Sequence, residues 1–88
     1  MYTLDDLTAG LSLPEIEAAK LIVQEMNKKQ HCWVMDLQLY QDKEGQFCIA
    51  DLEDELLFSS PSFRSTIIYF LELADADYVI HVLRRDNG

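Results

Sequence analysis

The sequence predicts a small α+β domain in which a mostly antiparallel sheet carries two helices on one face. Two observations predict it: a capped amphipathic segment at 13–29, and an alternating apolar run at 31–40 that a turn joins to a second apolar run. A third is the start of another helix near residue 61. The expected order, after a short N-terminal turn, is α-β-β-β-α-β within a single domain spanning 1–88.

The first helix has the clearest boundaries. Residues 1–10 read as a leader with one helical turn that stops at Gly10, and Ser12 and Glu15 then have the spacing of a capping box. Lys28 and Lys29 suit the last turn, where positive charge complements the helix dipole. The predicted helix runs over 13–29, with an apolar stripe made of Ile16, Ala19, Ile22, Val23 and Met26.

The segment 31–40 is the best strand candidate, because apolar and mixed residues alternate along it. Trp33, as a core anchor, would begin a core face that continues with Met35, Leu37 and Leu39. A turn over 42–45 leads into a returning strand at 46–52.

Two registers of this hairpin place different side chains in the core. In the favoured register Gln41 pairs with Gln46, so Tyr40, Phe47 and Ile49 lie on the face away from the core and Asp36 lies opposite Asp51. Like charges directly opposite each other destabilise a sheet. A slip of one residue would instead bring Phe47 and Ile49 into the core.

The rest of the chain completes the predicted order. A short third strand covers 55–58, and Ser60 and Pro61 indicate the start of a second helix over 61–74. The last strand is predicted at 78–83.

The charge of the chain narrows the class of partner. The formal net charge is −9 in 88 residues, which argues against direct binding to nucleic acid and favours a basic protein. No apolar run is long enough to span a membrane. Cys32 and Cys48 are interpreted as reduced thiols of a cytoplasmic protein, with a single bridge between them left open.

Acidic residues are densest at 51–55. From Asp36 to Glu55 there are seven carboxylates against one base, Lys43. A row of carboxylates on adjacent strands can imitate a row of phosphates. The segment lacks the ligand spacing and central glycine of a calcium loop, so neither a metal nor a cofactor is expected.

A helix-turn-helix and a cysteine–histidine nucleophile site are two further interpretations of the sequence. Leu4 to Met26 has the layout of a helix-turn-helix, but Glu15 and Glu17 would face phosphates. His31 and Cys32 are a candidate nucleophile pair, yet neighbouring strand residues point to opposite faces. His81 would need its strand beside the hairpin to reach a thiol, and no third orienting group is evident, so the protein is not expected to be an enzyme.

The run from Glu44 to Asp51, together with the helix–strands–helix–strand order, resembles type III secretion chaperones. The resemblance implies a small acidic dimer that binds a client protein. The chain departs from that family in being shorter and in lacking the further strand and C-terminal helix expected after the last strand.

The sequence therefore predicts a non-enzymatic acidic inhibitor or decoy. It would imitate nucleic acid and bind a basic nucleic-acid-handling protein, as small acidic proteins of phages and plasmids do. The alternative is a dimeric chaperone or adaptor that uses the uncovered sheet face. The predicted partner-binding residues are Asp36, Asp51, Glu53, Asp54, Glu55, Tyr40, Phe47 and Ile49.

Overall fold

The protein folds as a four-stranded antiparallel meander with helices before and after it. The computed structural model describes residues 2–4 and 9–87, and the sheet order is β1-β2-β3-β4. In chain order the elements are α1 (Leu13–Lys29), β1 (His31–Val34), β2 (Leu37–Gln41), β3 (Phe47–Ala50), β4 (Leu56–Ser60), α2 (Phe63–Leu73) and α3 (Ala76–Asn87).

Helix α1 has the predicted bounds because its ends are encoded locally. The backbone N–H of Ser12 donates to Glu15 Oε1 over 2.9 Å, and the Glu15 N–H donates to Ser12 Oγ over 3.4 Å. This is the capping box that the spacing indicated. The helix ends where Gln30 adopts a left-handed conformation with φ 65°.

The segment predicted as one strand over 31–40 is two strands. Val34 pairs with Leu37 across a two-residue turn, Met35–Asp36. Val34 and Leu37 therefore point to the same face of the sheet, whereas in one continuous strand they would point to opposite faces. Trp33 consequently lies on the opposite face from Leu37 and is half-buried outside the core, which corrects its assignment as a core anchor.

The register between β2 and β3 is one residue away from the favoured prediction. Gln41 pairs with Phe47, and Leu39 pairs with Ile49. Phe47 and Ile49 are therefore core residues, with 8% and 0% of their surface exposed. Asp51 follows β3 in a turn and is not paired with Asp36, so the predicted clash of like charges does not arise.

Strand β4 and helix α2 begin later than predicted. Leu57 is an extra residue in β4, since Phe58 pairs with Ile49 and Leu56 with Ala50. The N-cap of α2 is Ser62 instead of Ser60, and its hydroxyl accepts the N–H of Ser65 over 3.1 Å. Pro61 therefore precedes the cap and lies outside the helix.

The predicted last strand at 78–83 is helix α3, which corrects the predicted order to α-β-β-β-β-α-α. Its buried residues recur at helical spacing: Ala76, Val79, Val82 and Leu83. They join the same core as α1, and Arg84 forms an ion pair with Glu17 of α1 over 2.7 Å. Helix α3 also explains why α1 is buried more widely than one stripe, including at Leu21.

All the helices lie on one face of the sheet. Strand residues that share a face in the observed register, among them Cys32, Leu39 and Ile49, form one core with residues of α1, α2 and α3. The prediction of an α+β fold with an antiparallel sheet and helices on one face is confirmed, although the described residues contain three helices.

The N-terminal leader closes one margin of this core. The Tyr2 ring packs against Phe47 and Phe63 at centroid distances of 5.9 and 5.3 Å, and its backbone N–H donates to Asn27 Oδ1 over 2.7 Å. Tyr2 thus lies on the helix side of the sheet. Within the leader, residues 5–8, where the predicted helical turn before Gly10 would fall, lie outside the described residues.

Among the described residues, no helix combines the length and apolarity that crossing a bilayer requires.

Candidate protein-binding site

The segment 51–55 is a turn that Asp51 closes. Asp51 Oδ1 accepts the backbone N–H groups of Glu53 and Glu55 over 2.9 and 3.0 Å. The backbone of Asp51 bonds to Glu55 and Asp54, each over 3.1 Å, and Asp54 takes a positive φ of 62°. One oxygen of Asp51 is therefore committed to the turn, whereas Glu53, Asp54 and Glu55 are exposed.

The β2–β3 turn over 42–46 is built in the same way. Asp42 Oδ1 accepts the N–H groups of Glu44 and Gln46, both over 2.9 Å. Its backbone bonds to Gln46 and Gly45 over 2.8 and 3.2 Å, and Gly45 has φ 87°. Each residue of 51–55 thus has a structural counterpart in 42–46, at the other end of strand β3.

Half of the acidic residues lie in three segments that meet at one end of the sheet. The segments are the β1–β2 turn, the β3–β4 turn and the α2–α3 junction, and residues of all three line a common groove. We call this region the acidic end. Within 34–37, 50–56 and 72–78 there is no Lys, Arg or His. The acidic residues of these segments are Asp36, Asp51, Glu53, Asp54, Glu55, Glu72, Asp75 and Asp77.

At the centre of the acidic end lies an apolar groove of about 780 Å³. Its lining residues are Val34, Met35, Asp36, Leu37, Leu52, Leu73, Ala74, Asp75 and Tyr78. Four of them are large apolar side chains that remain exposed to solvent: Met35 (62%), Leu52 (68%), Leu73 (45%) and Tyr78 (41%). An apolar centre with a charged margin is the composition of many protein–protein interfaces.

The sheet face opposite the helices is a second candidate surface, which we call the open sheet face. By the pairing register it is formed by His31, Trp33, Gln38, Tyr40, Cys48, Ala50, Leu56 and Ser59. Trp33 and Tyr40 are half-buried there, against their neighbours on the sheet, and Leu56 is exposed. None of the three belongs to or packs against the core formed by the described residues.

Tyr40 lies at the centre of the open sheet face, paired with Cys48. Burial raises the pKa of the Tyr40 hydroxyl above its usual value, and the neighbouring Cys48 and the Asp42 carboxylate raise the pKa further. Tyr40 therefore presents a neutral hydroxyl at neutral pH, which can donate a hydrogen bond to a partner.

The structure separates the predicted site residues into three groups. Asp36 lies at the groove, and the exposed turn residues 53–55 lie beside Leu52, which also lines the groove. Tyr40 is on the open sheet face. Phe47 and Ile49 are buried among the helices, so their predicted placement on a binding surface is corrected.

The apolar side chains of the groove are not among the predicted site residues. The sequence predicts Met35 in a strand, Leu73 near the end of a helix and Leu52 in the returning strand at 46–52. One signal was available, because each of these residues has an acidic residue within two positions in the chain. A large apolar residue beside acids at the end of an element is a candidate for an exposed anchor.

The geometry also bears on the metal and nucleophile alternatives. Among the described residues, no three His, Cys, Asp or Glu side chains are placed to hold a metal ion together. Cys32 and Cys48 are both buried and are not bridged to each other, since they face opposite sides of the sheet. His31 lies on the open sheet face, opposite in direction to Cys32, and His81 lies exposed on α3.

Comparison with known proteins found no match to this chain among protein-family models, curated proteins or solved structures.

Proposed function

We propose that this chain is a non-enzymatic protein-binding module that acts as an acidic decoy of nucleic acid. It occupies the nucleic-acid site of a basic nucleic-acid-handling protein and so inhibits it. The observation that carries the proposal is the acidic end, where three segments that contain eight acidic residues and no base meet around one groove.

The β3–β4 turn suits this role because its exposed charges are preorganised. Asp51 closes the turn through two backbone N–H groups, so the chain that carries Glu53, Asp54 and Glu55 is already ordered before binding. Preorganisation reduces the conformational entropy that binding costs. Like charges held close together also attract a basic partner over a distance of about one Debye length, roughly 8 Å at physiological salt.

The experiment uses a partner captured from extract of the native host and then purified. The paired substitution Glu53→Lys and Glu55→Lys reverses two exposed charges without touching Asp51. We expect it to weaken the complex by about tenfold or more, equivalent to roughly 1.4 kcal/mol. Isothermal calorimetry at several salt concentrations measures this loss, and the affinity of the unsubstituted protein should fall as salt rises.

The matched control is Glu44→Lys with Gln46→Lys. These residues occupy the same positions in the equivalent turn at the other end of β3, and we expect them to leave affinity within about twofold. In a competition assay the unsubstituted protein should also displace nucleic acid from the partner. Retention of nucleic acid, or equal losses in both paired variants, would refute the decoy role.

A second candidate function is a dimeric chaperone or adaptor, which the open sheet face favours. Trp33, Tyr40 and Leu56 present apolar surface there that the described part of the chain does not cover. This function predicts a dimer whose formation depends weakly on salt and which Tyr40→Asp disrupts. Light scattering after size-exclusion chromatography tests both points, and a monomer at all concentrations would contradict dimerisation.

The proposal places the module in the cytoplasm, where nucleic-acid-handling proteins of a phage or plasmid host act. Two buried cysteines that are not joined by a disulfide are consistent with a reducing compartment.

A further inference from the structure

The apolar groove concentrates exposed apolar side chains in one place. Of the seven large apolar residues that are well exposed within the described chain, four line this groove. They come from three separate segments, so the concentration arises from the fold and not from one apolar stretch of sequence. Contiguous exposed apolar surface of this kind marks an interaction site.

Charge restricts what the groove can accept. Asp36 and Asp75 lie in its lining, and the exposed carboxylates of 53–55 flank Leu52. The three contributing segments contain no Lys, Arg or His. An anionic or acidic ligand would be repelled, whereas a ligand that is apolar at its centre and cationic at its margins is complementary.

The position of the groove favours a helix over an extended peptide. The groove lies beyond the ends of the strands, where Val34 and Leu37 already pair with each other. Only the last residue of the edge strand β1, Val34, lines the groove, so an extended peptide would find at most one strand residue to pair with. A helix satisfies its own backbone hydrogen bonds and brings apolar anchors at i, i+3, i+4 and i+7.

Met35 is held at the groove by an unfavourable backbone conformation. Its φ is 55°, in the left-handed region that glycine favours and bulky residues avoid. The tight turn thus carries an exposed methionine into the groove lining at the expense of local stability. Methionine is an adaptable contact residue at binding surfaces.

We propose that the apolar groove binds an amphipathic helix of the partner, with Leu- or Phe-sized side chains on one face and Lys or Arg at its margins. The inference rests on the proposed function and names the element of the basic partner that this site takes. In the complex, apolar anchors lie between Met35, Leu52 and Leu73, and the flanking cations face Asp36 and Asp75.

The probe is a synthetic Leu/Lys peptide of about four helical turns, with its Leu residues at helical spacing and a fluorescent label. A scrambled peptide of the same composition has the same charge but no apolar face. Fluorescence anisotropy in about 0.15 M salt should show at least tenfold tighter binding of the amphipathic peptide. Equal binding of the two peptides, or no binding of either, would overturn the inference.

Substitutions inside and outside the groove test where the amphipathic peptide binds. Leu52→Gln with Leu73→Gln should weaken binding of the amphipathic peptide by tenfold or more, and Met35→Gly should weaken it without loss of folding. Leu13→Gln is the matched control, because Leu13 is 82% exposed and lies outside the groove. Circular dichroism checks that each variant is folded. Unchanged affinity in the double Leu variant would place the peptide elsewhere.

The result is separable from the test of the decoy function. If the Leu variants leave partner affinity unchanged while Glu53→Lys with Glu55→Lys lowers it, the groove inference fails and the decoy survives. If sedimentation equilibrium shows a dimer that Leu52→Gln dissociates, the occupant is a second copy of this chain and the partner helix is excluded.

Discussion

At the scale of single residues, Asp42 and Asp51 have the same role in two equivalent turns. Each carboxylate accepts two backbone N–H groups, and the fourth residue of each turn has a positive φ. The side chains that differ are exposed ones. Lys43 in one turn corresponds to Leu52 in the other, so the shared backbone presents a mixed-charge surface at one end and an acidic, apolar surface at the opposite end.

Asp51 can therefore be tested as a structural residue, separately from its charge. Asp51→Ala removes the acceptor for two backbone N–H groups, so we expect the free energy of unfolding to fall by about 1 kcal/mol. Asp51→Asn keeps an acceptor oxygen and should cost much less. Urea denaturation measures both variants.

Glu53→Ala is the control for that comparison, because the Glu53 side chain is exposed and its replacement should leave stability almost unchanged. If Asp51→Asn is as unstable as Asp51→Ala, the charge of Asp51 and not its role as acceptor stabilises the turn.

At the scale of elements, the β1–β2 hairpin combines a local loss of stability with an exposed apolar side chain at the groove. Its two-residue turn places Met35 at φ 55°, where a side chain costs roughly 1–2 kcal/mol relative to a right-handed conformation. Strain of this kind is commonly kept at functional sites. The exposed side chain of Met35 is not part of the buried core, so core packing does not account for its presence.

Met35→Gly should consequently stabilise the protein. Glycine adopts a positive φ freely, and the gain after allowing for its greater entropy in the unfolded chain is about 0.5–1 kcal/mol. Thermal and urea denaturation measure the gain. The same substitution at Leu57, which is also partly exposed but is not among the residues with positive φ, should destabilise. A lower free energy of unfolding for Met35→Gly would contradict the inference of backbone strain at Met35.

Helix α3 shows how a short apolar run misleads at this scale. Residues 78–83 form a short apolar run interrupted only by His81, and three of them are β-branched. The burial of Val79, Val82 and Leu83 in the structure shows which of these apolar residues form the helical stripe. Burial of that face against α1 stabilises the helix, and this contact is distant in the sequence.

At the scale of the whole molecule, the net charge of −9 is unevenly distributed. The described ion pairs, Lys29 with Glu25 and Arg84 with Glu17, involve helices α1 and α3, and neither includes a residue of the acidic end. We expect repulsion among the carboxylates of the acidic end to destabilise the folded chain, and a basic partner would relieve it.

Neutralising part of the acidic end should therefore raise stability while lowering partner affinity. For Glu53→Gln with Glu55→Gln we expect a gain of about 0.5 kcal/mol at low ionic strength. The gain should vanish in about 1 M salt, where the Debye length is near 3 Å. Denaturation at both salt concentrations measures it.

Glu44→Gln is the control for the charge prediction, because Glu44 is next to Lys43 and lies in the equivalent turn. It should give no gain. A gain that persists at high salt would mean that helix or turn propensity, and not repulsion, accounts for the effect.

The sequence by itself determined the features that depend on neighbouring residues. Ser12, Pro14 and Glu15 set the start of α1, and the stripe of Ile67, Phe70 and Leu71 placed most of α2. Capping and helical periodicity depend on residues within a few positions of each other, so they can be recognised in the sequence without knowledge of the fold. The α+β class and the acidic character follow from the same local patterns.

Only the tertiary structure decided the register, the split of 31–40, the helical C-terminal segment and the apolar groove. A slip of one residue moves every side chain of a strand to the opposite face of the sheet. The observed register is the one that buries Phe47 and Ile49 beneath the helices. Met35 and Leu52 lie at the same end of the sheet because antiparallel pairing brings their two turns there. The end of α2 and the first turn of α3 add Leu73 and Tyr78 to the same surface.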